Sequence, residues 1–168
     1  FCSFILSLLR ISNILIMGLL QVGDSLPNFE CFDDKGNVVK SQDLISKKCI
    51  IFFYPKANTP GCTAQACNLS ENFSELSKNG FSIYGVSADK VKSQSSFSNK
   101  FGGFPYPLLA DINKELINSF GVWGLKKYMG REYEGILRTT FVTDKEGIIT
   151  NVIEKVKTKD HTSQILGL

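Results

Sequence analysis

The sequence predicts an α/β fold with a central mixed β-sheet, helices on both faces and an N-terminal β-hairpin. The length of 168 residues suits one domain with a substantial core. A hydrophobic content of 43% and a charged content of 21% are typical of a globular chain. Segments with strand and helix patterns alternate along the chain, without an internal repeat or a long linker. We therefore predict a single domain over residues 17–168.

The first sixteen residues are predicted to lie outside this domain. Residues 1–20 are nearly all apolar, with Arg10 in the middle and no acidic residue. Nothing before Arg10 supplies the positive n-region of a signal peptide. At the centre of a membrane anchor, Arg10 would cost about 2.5–3.5 kcal/mol. We interpret Met17 as the start of the protein and residues 1–16 as upstream sequence or a truncated leader.

The first predicted elements are a hairpin and a buried strand. Two short runs within residues 30–40 flank the turn sequence Asp34-Lys35-Gly36-Asn37, which predicts a β-hairpin. The run CIIFFY at residues 49–54 is continuously apolar and rich in β-branched and aromatic side chains, which predicts a buried strand. Pro55 ends this strand.

Apolar residues at the helical period predict a helix over residues 62–78, closed by Asn79-Gly80. They recur at spacings of three and four and are Ala66, Leu69, Phe73 and Leu76. Thr59 suits the N-cap of this helix and Pro60 its first position. Cys62 is therefore expected in the first helical turn.

The remaining elements complete the sheet. In order they are a strand at 81–86, a polar surface helix at 91–101, a long insertion at 102–138, strands at 139–143 and 148–154 joined by a turn, and a helix at 160–166. A right-handed crossover makes the first two strands parallel, and the final hairpin adds an antiparallel edge. This order of elements is the thioredoxin-like arrangement.

Cys62 has the surroundings of a reactive thiol. At a helix N-terminus the first backbone N–H groups lack intrahelical partners and the helix dipole is positive, and both favour a thiolate. The dipole alone contributes about 0.3–1 kcal/mol, so a cationic side chain from elsewhere is needed to complete the activation. The alternative is an ordinary buried helical cysteine, and this alternative stays open, above all for Cys67.

The spacing of Cys62 and Cys67 bears on their chemistry. In a regular helix, Cα atoms five residues apart are separated by roughly 8–9 Å. A disulfide needs a separation of less than about 7 Å. A bond between these cysteines therefore requires local unwinding of the helix.

Other functional classes have little support. A C-x4-C spacing with isolated Cys31 and Cys49 does not fit a zinc site, and both isolated cysteines are assigned to packing. Redox C-x-x-C and nucleotide-binding motifs are absent from the sequence. The only histidine, His161, is interpreted as a surface residue rather than a protease partner of a cysteine. The net charge of +3 comes from scattered residues, which argues against a nucleic-acid patch.

The segment PKANTPGCTAQAC resembles the active-site segment of the peroxiredoxins, whose signature is P-x-x-x-T-x-x-C. Its continuation to a second cysteine is similar to the bacterioferritin comigratory protein or peroxiredoxin Q subgroup. Other matching segments are VGDSLPNF at 22–29, YGVSAD at 84–89, PLLAD at 107–111, GVWGLKKYMGREYEGILRTTFVTDKEG at 121–147 and KVKTKDH at 155–161. The resemblance covers about residues 20–168.

The resemblance implies a role for five residues. Cys62 matches the peroxidatic cysteine, Cys67 the resolving cysteine of an intrahelical disulfide, and Pro55 the shielding proline. Thr59 and Arg138 match the threonine and arginine that flank the peroxidatic cysteine. One departure is Ser70-Glu71, where the family pattern has Arg-Asp.

The resemblance also implies an activity: reduction of hydrogen peroxide and organic hydroperoxides, in antioxidant defence, with no metal or organic cofactor. Thioredoxin or a similar dithiol would be the reductant, and the subgroup favours a monomer that binds neither nucleic acid nor membrane. The expected location is cytoplasmic, or organellar if residues 1–16 are a truncated leader. The alternatives are a general thiol–disulfide oxidoreductase and a redox-gated holdase that exposes Leu69 and Phe73 to clients.

Overall fold

The computed structural model describes residues 18–168, so the segment 1–16 and Met17 lie outside the described residues. The strands are β1 Glu30–Asp33, β2 Val38–Lys40, β3 Lys48–Phe53, β4 Phe81–Ser87, β5 Leu108–Ala110, β6 Trp123–Tyr128, β7 Arg131–Ile136, β8 Thr139–Thr143 and β9 Ile149–Ile153. The α-helices are α1 Pro60–Glu71, α2 Phe73–Lys78, α3 Val91–Lys100, α4 Glu115–Phe120 and α5 His161–Leu166, and a 3₁₀-helix spans Ser41–Leu44.

Seven strands form one mixed sheet in the order β2-β1-β5-β4-β3-β8-β9. β3 pairs in parallel with β4, and β4 in parallel with β5, whereas β8 runs antiparallel to β3 and β9 antiparallel to β8. The predicted parallel crossover and antiparallel final hairpin are therefore confirmed. The N-terminal hairpin of β1 and β2 is also confirmed, and it extends the sheet by pairing with β5.

Alternate residues of β3 divide the core into two layers, because successive side chains of a strand point to opposite faces. Ile51 and Phe53 pack in one layer with the buried side of α4. Ile50 and Phe52 pack in the other layer, where α1, α2, α3 and α5 contribute their buried residues. Helices thus cover both faces of the sheet, as the sequence predicts. The thioredoxin-like fold class is confirmed.

The single helix predicted over residues 62–78 is wrong, because the segment forms two helices that meet at Asn72. The Asn72 backbone lies outside the helical region, with φ −103° and ψ 16°. Its side-chain amide donates a hydrogen bond of 2.8 Å to the Asn68 carbonyl. An asparagine that bonds to the backbone in this way competes with regular helix formation.

The region predicted as a long insertion, residues 102–138, contributes to the main sheet. β5 lies in the sheet between β1 and β4, and α4 covers the sheet. β6 and β7 form a separate two-stranded antiparallel hairpin. Phe120 and Val122 are buried in this region, and Trp123 packs against the same core layer, so these three residues belong to the core.

His161 is not a surface residue, and that prediction is wrong. Its side chain is fully buried. Nδ1 lies 3.0 Å from Gln164 Oε1, and Nε2 lies 2.9 Å from the Thr140 hydroxyl. Gln164 Oε1 can only accept, so Nδ1 donates to it, and the neutral ring accepts the Thr140 hydroxyl at Nε2. His161 therefore fixes the start of α5 to β8.

His161 should make stability depend on pH near neutrality. Burial lowers its pKa from the ordinary value of 6.5, and the charge of Arg138 lowers it further. As pH falls, the unfolded chain therefore takes up a proton on His161 at a higher pH than the folded protein does. The stabilisation by the neutral ring is present above about pH 6.5 and is lost as pH falls through the folded pKa. We expect urea unfolding of wild type and His161→Gln to show a free-energy difference that shrinks from pH 7.5 to 5.5. A free-energy difference that stays constant over this pH range would contradict the assignment of His161 as a buried neutral ring.

Within residues 18–168, no helix combines the length and apolar character that are needed to cross a bilayer.

Candidate active site

Cys62 lies in the first turn of α1. Thr59 is the N-cap residue, with extended backbone angles of φ −89° and ψ 153°, and Pro60 occupies the first helical position. The Cys62 side chain is only 1% exposed, and it packs in the core layer that includes Phe52 and Ala66. The thiol is therefore placed at the positive end of a helix dipole and shielded from bulk water.

Arg138 approaches Cys62 from the residue before β8. Its Nη2 donates to Cys62 Sγ at 3.3 Å, and its Nη1 donates to Gln65 Oε1 at 2.7 Å. The pairing of β8 with β3 brings this arginine to the loop and helix that follow β3. A side-chain carbon at Gly61 would lie 3.2 Å from Nη2, so the glycine before the cysteine leaves room for the guanidinium. The structure thus places a cation against the thiol.

Gln65 is a contact residue that the sequence reasoning missed. Its side chain is fully buried, and its carbonyl oxygen orients the Arg138 guanidinium. Its Nε2 has no hydrogen-bond partner among the residues that the structure describes. The sequence position of Gln65 could have indicated this contact. Gln65 is three residues after Cys62, so both side chains lie on the same face of α1.

Lys126 is a second cation near the site and was also missed. Its ammonium donates to the Ile136 carbonyl at 3.0 Å. Partial burial and then the charge of Arg138 lower the pKa of Lys126, whereas a negative charge at Cys62 raises it. Lys126 and Arg138 also line one surface cleft. Arg138, whose side chain contacts the buried thiol, therefore borders a surface cleft.

The loop between β3 and α1 contains Pro55 and Thr59, both of which are half-buried. The Thr59 hydroxyl donates to the Lys56 carbonyl at 2.8 Å and does not cap the helix. The Ala57 N–H donates to Asp89 Oδ2 at 2.8 Å. Asp89 therefore fixes this loop to the end of β4, which keeps the helix N-terminus in place.

Cys67 is half-buried on the second turn of α1, and its thiol is free, as is that of Cys62. Burial raises the pKa of Cys67, and the nearby Glu71 carboxylate raises it further. Glu71 belongs to the Ser70-Glu71 pair in which the chain departs from the family pattern. Glu71 keeps the acidic character of the aspartate in the family pattern, and its negative charge near this thiol disfavours ionisation.

The other described cysteines belong to the core. Cys49 is fully buried in β3, and Cys31 packs against the same core layer from β1. Burial raises the pKa of Cys31 to about 12 and that of Cys49 to about 11. Their assignment to packing is confirmed. Over residues 18–168, no group of three or more His, Cys, Asp or Glu side chains is arranged to hold a metal ion.

Relatives of known family share this sequence and fold. The AhpC/TSA family model matches residues 22–152. Peroxiredoxin Bcp of Escherichia coli K12 is 40% identical over 151 residues, which cover 90% of this chain and 96% of that protein. Peroxiredoxin Bcp of Bacillus subtilis is 39% identical over 147 residues, covering 88% and 93%.

Solved structures of similar proteins have the same fold. A Xylella fastidiosa PrxQ variant superposes with a TM-score of 0.82 at 28% identity, covering 88% of this chain and 94% of that chain. Mycobacterium tuberculosis peroxidoxin BcpB superposes with a TM-score of 0.77 at 32% identity, covering 88% and 95%. The chain therefore belongs to the AhpC/TSA family and is a peroxiredoxin, a thiol-dependent peroxidase.

Proposed function

We propose that Cys62 is the thiol that attacks the peroxide and that Cys67 then resolves the oxidised product. The observation that carries this proposal is the 3.3 Å contact from Arg138 Nη2 to Cys62 Sγ at the start of α1. The helix dipole is too weak to activate a thiol alone, and the guanidinium adds a positive charge that cannot be lost at neutral pH. Together they stabilise the Cys62 thiolate, which is the nucleophile.

In the first step the Cys62 thiolate attacks one oxygen of the peroxide. A sulfur–oxygen bond forms while the oxygen–oxygen bond breaks, so sulfur loses two electrons and the peroxide gains them. The leaving oxygen departs as hydroxide or alkoxide and takes up a proton to become water or an alcohol. Cys62 is left as a sulfenic acid.

Arg138 stabilises the charge that develops on the leaving oxygen. Its guanidinium is already fixed by Gln65 and needs no reorganisation during the reaction. The Thr59 hydroxyl uses its hydrogen for Lys56, which leaves its oxygen free to accept the proton of a bound hydroperoxide. We assign to these two side chains the orientation of the substrate against the thiolate, and to Pro55 the shielding of the site from water.

In the second step the Cys67 thiol attacks the sulfenic sulfur of Cys62. A disulfide forms and one water molecule leaves, so Cys67 supplies the second sulfur and no outside oxidant is needed. A dithiol then reduces this disulfide to two thiols and becomes oxidised itself. We propose thioredoxin or a similar dithiol as this reductant, acting on a cytoplasmic monomer. The relatives named peroxiredoxin support a thiol reductant for this chain.

The test is peroxide consumption by the reduced protein, with a thioredoxin system as electron donor. We expect one equivalent of hydrogen peroxide to be consumed without the donor and many equivalents with it. Rapid mixed-disulfide formation with protein thiols but no peroxide consumption would contradict the proposal in favour of a general oxidoreductase. Protection of unfolded client proteins without turnover would contradict it in favour of a holdase.

Cys67→Ser should separate the two chemical steps. Because the variant keeps Cys62 and Arg138, we expect it to consume one equivalent of peroxide at the wild-type rate. Its sulfenic acid then persists, and excess peroxide converts it to sulfinic acid, since no second thiol removes it. Mass spectrometry of the intact protein detects the added oxygen atoms. Cys31→Ser is the matched control and should form the disulfide normally, whereas a normal disulfide yield in Cys67→Ser would exclude Cys67 as the resolving residue.

A further inference from the structure

The peptide group between Lys56 and Ala57 is held at both of its polar atoms. Its N–H, on Ala57, donates to Asp89 Oδ2 at 2.8 Å. Its carbonyl oxygen, on Lys56, accepts the Thr59 hydroxyl at 2.8 Å. Because a trans peptide group is planar, its N–H and its carbonyl point in opposite directions and cannot turn independently. The contact with Asp89 on one side therefore sets the direction of the acceptor for Thr59 on the other side.

The chain turns tightly between this peptide group and Thr59. Asn58 has a φ of 64°, in the left-handed region that asparagine tolerates better than most residues. The turn brings the Thr59 hydroxyl back to a carbonyl three residues earlier in the chain. The side chains of Lys56 and Asn58 are exposed, so their packing contributes little to the shape of the turn. The turn therefore depends on its hydrogen bonds.

Asp89 is itself fixed by a chain of hydrogen bonds. The Ser87 hydroxyl donates to the same Oδ2 at 2.7 Å. Gln94 Nε2 in turn donates to Ser87 Oγ at 2.8 Å and to the Leu109 carbonyl at 2.9 Å. The side chains of Ser87 and Gln94 are both fully buried. Residues of β4, β5 and α3 therefore join in one network that fixes this carboxylate, and the loop before Cys62 is fixed relative to the sheet.

Tyr54 connects the start of the loop to the same network. Its hydroxyl donates to Gln94 Oε1, and its ring is fully buried in the core layer that contains Cys62. Tyr54 directly precedes Pro55, and Ala57 follows Pro55 by two positions. The network thus holds the loop on both sides of Pro55, and its bond from Asp89 to Ala57 reaches the peptide group whose carbonyl binds the Thr59 hydroxyl.

We infer that Asp89 is a positioning residue for Thr59. Through the peptide group of residues 56–57, Asp89 keeps the Thr59 hydroxyl hydrogen directed at a carbonyl, so that the hydroxyl oxygen retains a lone pair for the proton of the hydroperoxide. Asp89 acts on the orientation of the peroxide and not on the Cys62 thiolate, which Arg138 contacts from before β8. This inference rests on the proposed role of Thr59 and adds the residue that directs its hydroxyl.

A double-mutant cycle tests this role, with Asp89→Ala made both in the wild type and in Thr59→Val. The measurement is the second-order rate constant for oxidation of Cys62 by hydrogen peroxide, from rapid quenching and mass spectrometry. We expect Asp89→Ala to lower this rate constant about tenfold in the wild type, the effect of one lost charge-assisted hydrogen bond on substrate orientation. In Thr59→Val, which has no hydroxyl to direct, Asp89→Ala should lower it by less than about twofold.

A purely structural role of Asp89 gives a different result in the same cycle. General loosening of the loop would lower the rate constant by the same factor with and without the Thr59 hydroxyl, and such equal losses would overturn the inference. An unchanged rate constant in Asp89→Ala would also overturn it. If Thr59→Val alone keeps the wild-type rate constant, the proposed role of Thr59 is contradicted instead, and this inference with it.

Alkylation of Cys62 by iodoacetamide gives a second readout, because the reagent needs a reactive thiol but no contact that orients a hydroperoxide. We expect Asp89→Ala to be alkylated at Cys62 at least as fast as the wild type, although its oxidation by peroxide is slower. A parallel fall in both rates would overturn the inference, since Asp89 would then act on the thiol itself.

Three further variants complete the test. Asp89→Asn keeps an oxygen that can accept the Ala57 N–H and should recover most of the oxidation rate. Ser87→Ala removes a donor that fixes Asp89, so it should give a smaller loss that again depends on the Thr59 hydroxyl; it serves also if Asp89→Ala fails to fold.

The matched control is Asp144→Ala. Asp144 also accepts backbone N–H groups within a turn, but between β8 and β9. Its removal should leave the oxidation of Cys62 unchanged. Equal losses in Asp144→Ala and Asp89→Ala would overturn the inference, because removal of any turn carboxylate would then lower the rate.

Discussion

Replacing Cys62 with serine is expected to lower the rate of peroxide reduction by roughly 1000-fold or more, because the variant lacks the nucleophile of the first step. A serine hydroxyl stays protonated beside Arg138 and is a far weaker nucleophile than a thiolate. The fold should persist, since serine differs from cysteine by a single atom in the side chain. The measurement is the second-order rate of peroxide consumption by the reduced protein, with circular dichroism as the check on folding.

Cys49→Ser and Cys31→Ser are the matched controls for this result. Each removes one thiol from the core layer on the other face of the sheet from Cys62. They should keep the wild-type rate constant for peroxide, although burial of a hydroxyl in place of Cys49 is expected to lower stability. If Cys62→Ser retained activity and a core variant lost it, the assignment of Cys62 would be wrong.

Replacing Arg138 with alanine is expected to reduce kcat/KM for hydrogen peroxide by about 100- to 1000-fold, the usual effect of removing a preorganised donor to developing negative charge. The loss has two sources. The Cys62 thiolate loses the guanidinium that lies 3.3 Å away, and the leaving oxygen loses a fixed donor. Stopped-flow measurement of Cys62 oxidation at one fixed pH gives the rate constant for this step directly.

Two further arginine variants define the specificity of this effect. Arg138→Lys retains the charge but cannot contact Cys62 and Gln65 with two nitrogens of one planar group, so we expect only partial recovery. Arg131→Ala removes an exposed arginine from β7 and should have no effect. Equal losses in Arg131→Ala and Arg138→Ala would show that net charge, rather than the contact with the thiol, governs the rate.

The sequence predicted those parts of the fold whose pattern is local and long enough to interpret. The strand beginning at Cys49 was found because its apolar run is continuous. β5 was missed because it has only three residues, between Pro107 and Asp111, which are too few for a period. β6 and β7 were missed because both sides of this hairpin are largely exposed, so apolar and polar residues do not alternate.

The candidate site was predicted only in part, because sequence patterns indicate local arrangements and not contacts between distant residues. The helix start at Thr59-Pro60 and Cys62 lie within four residues of each other, so their arrangement follows from local sequence. The need for a cation followed from the weak dipole, but only the family resemblance indicated Arg138, since the contact joins residues 76 positions apart. Burial of His161 depends on a contact with β8 across 21 positions, which no local pattern records.

Thiol mapping by mass spectrometry, on reduced wild-type protein treated with one equivalent of hydrogen peroxide, tests the central claim most directly. The account predicts a single intramolecular disulfide between Cys62 and Cys67, with the loss of two hydrogens, while Cys31 and Cys49 remain alkylatable thiols. If Cys62 stays a thiol while peroxide is consumed or while another cysteine is oxidised, the assignment of the active site is contradicted.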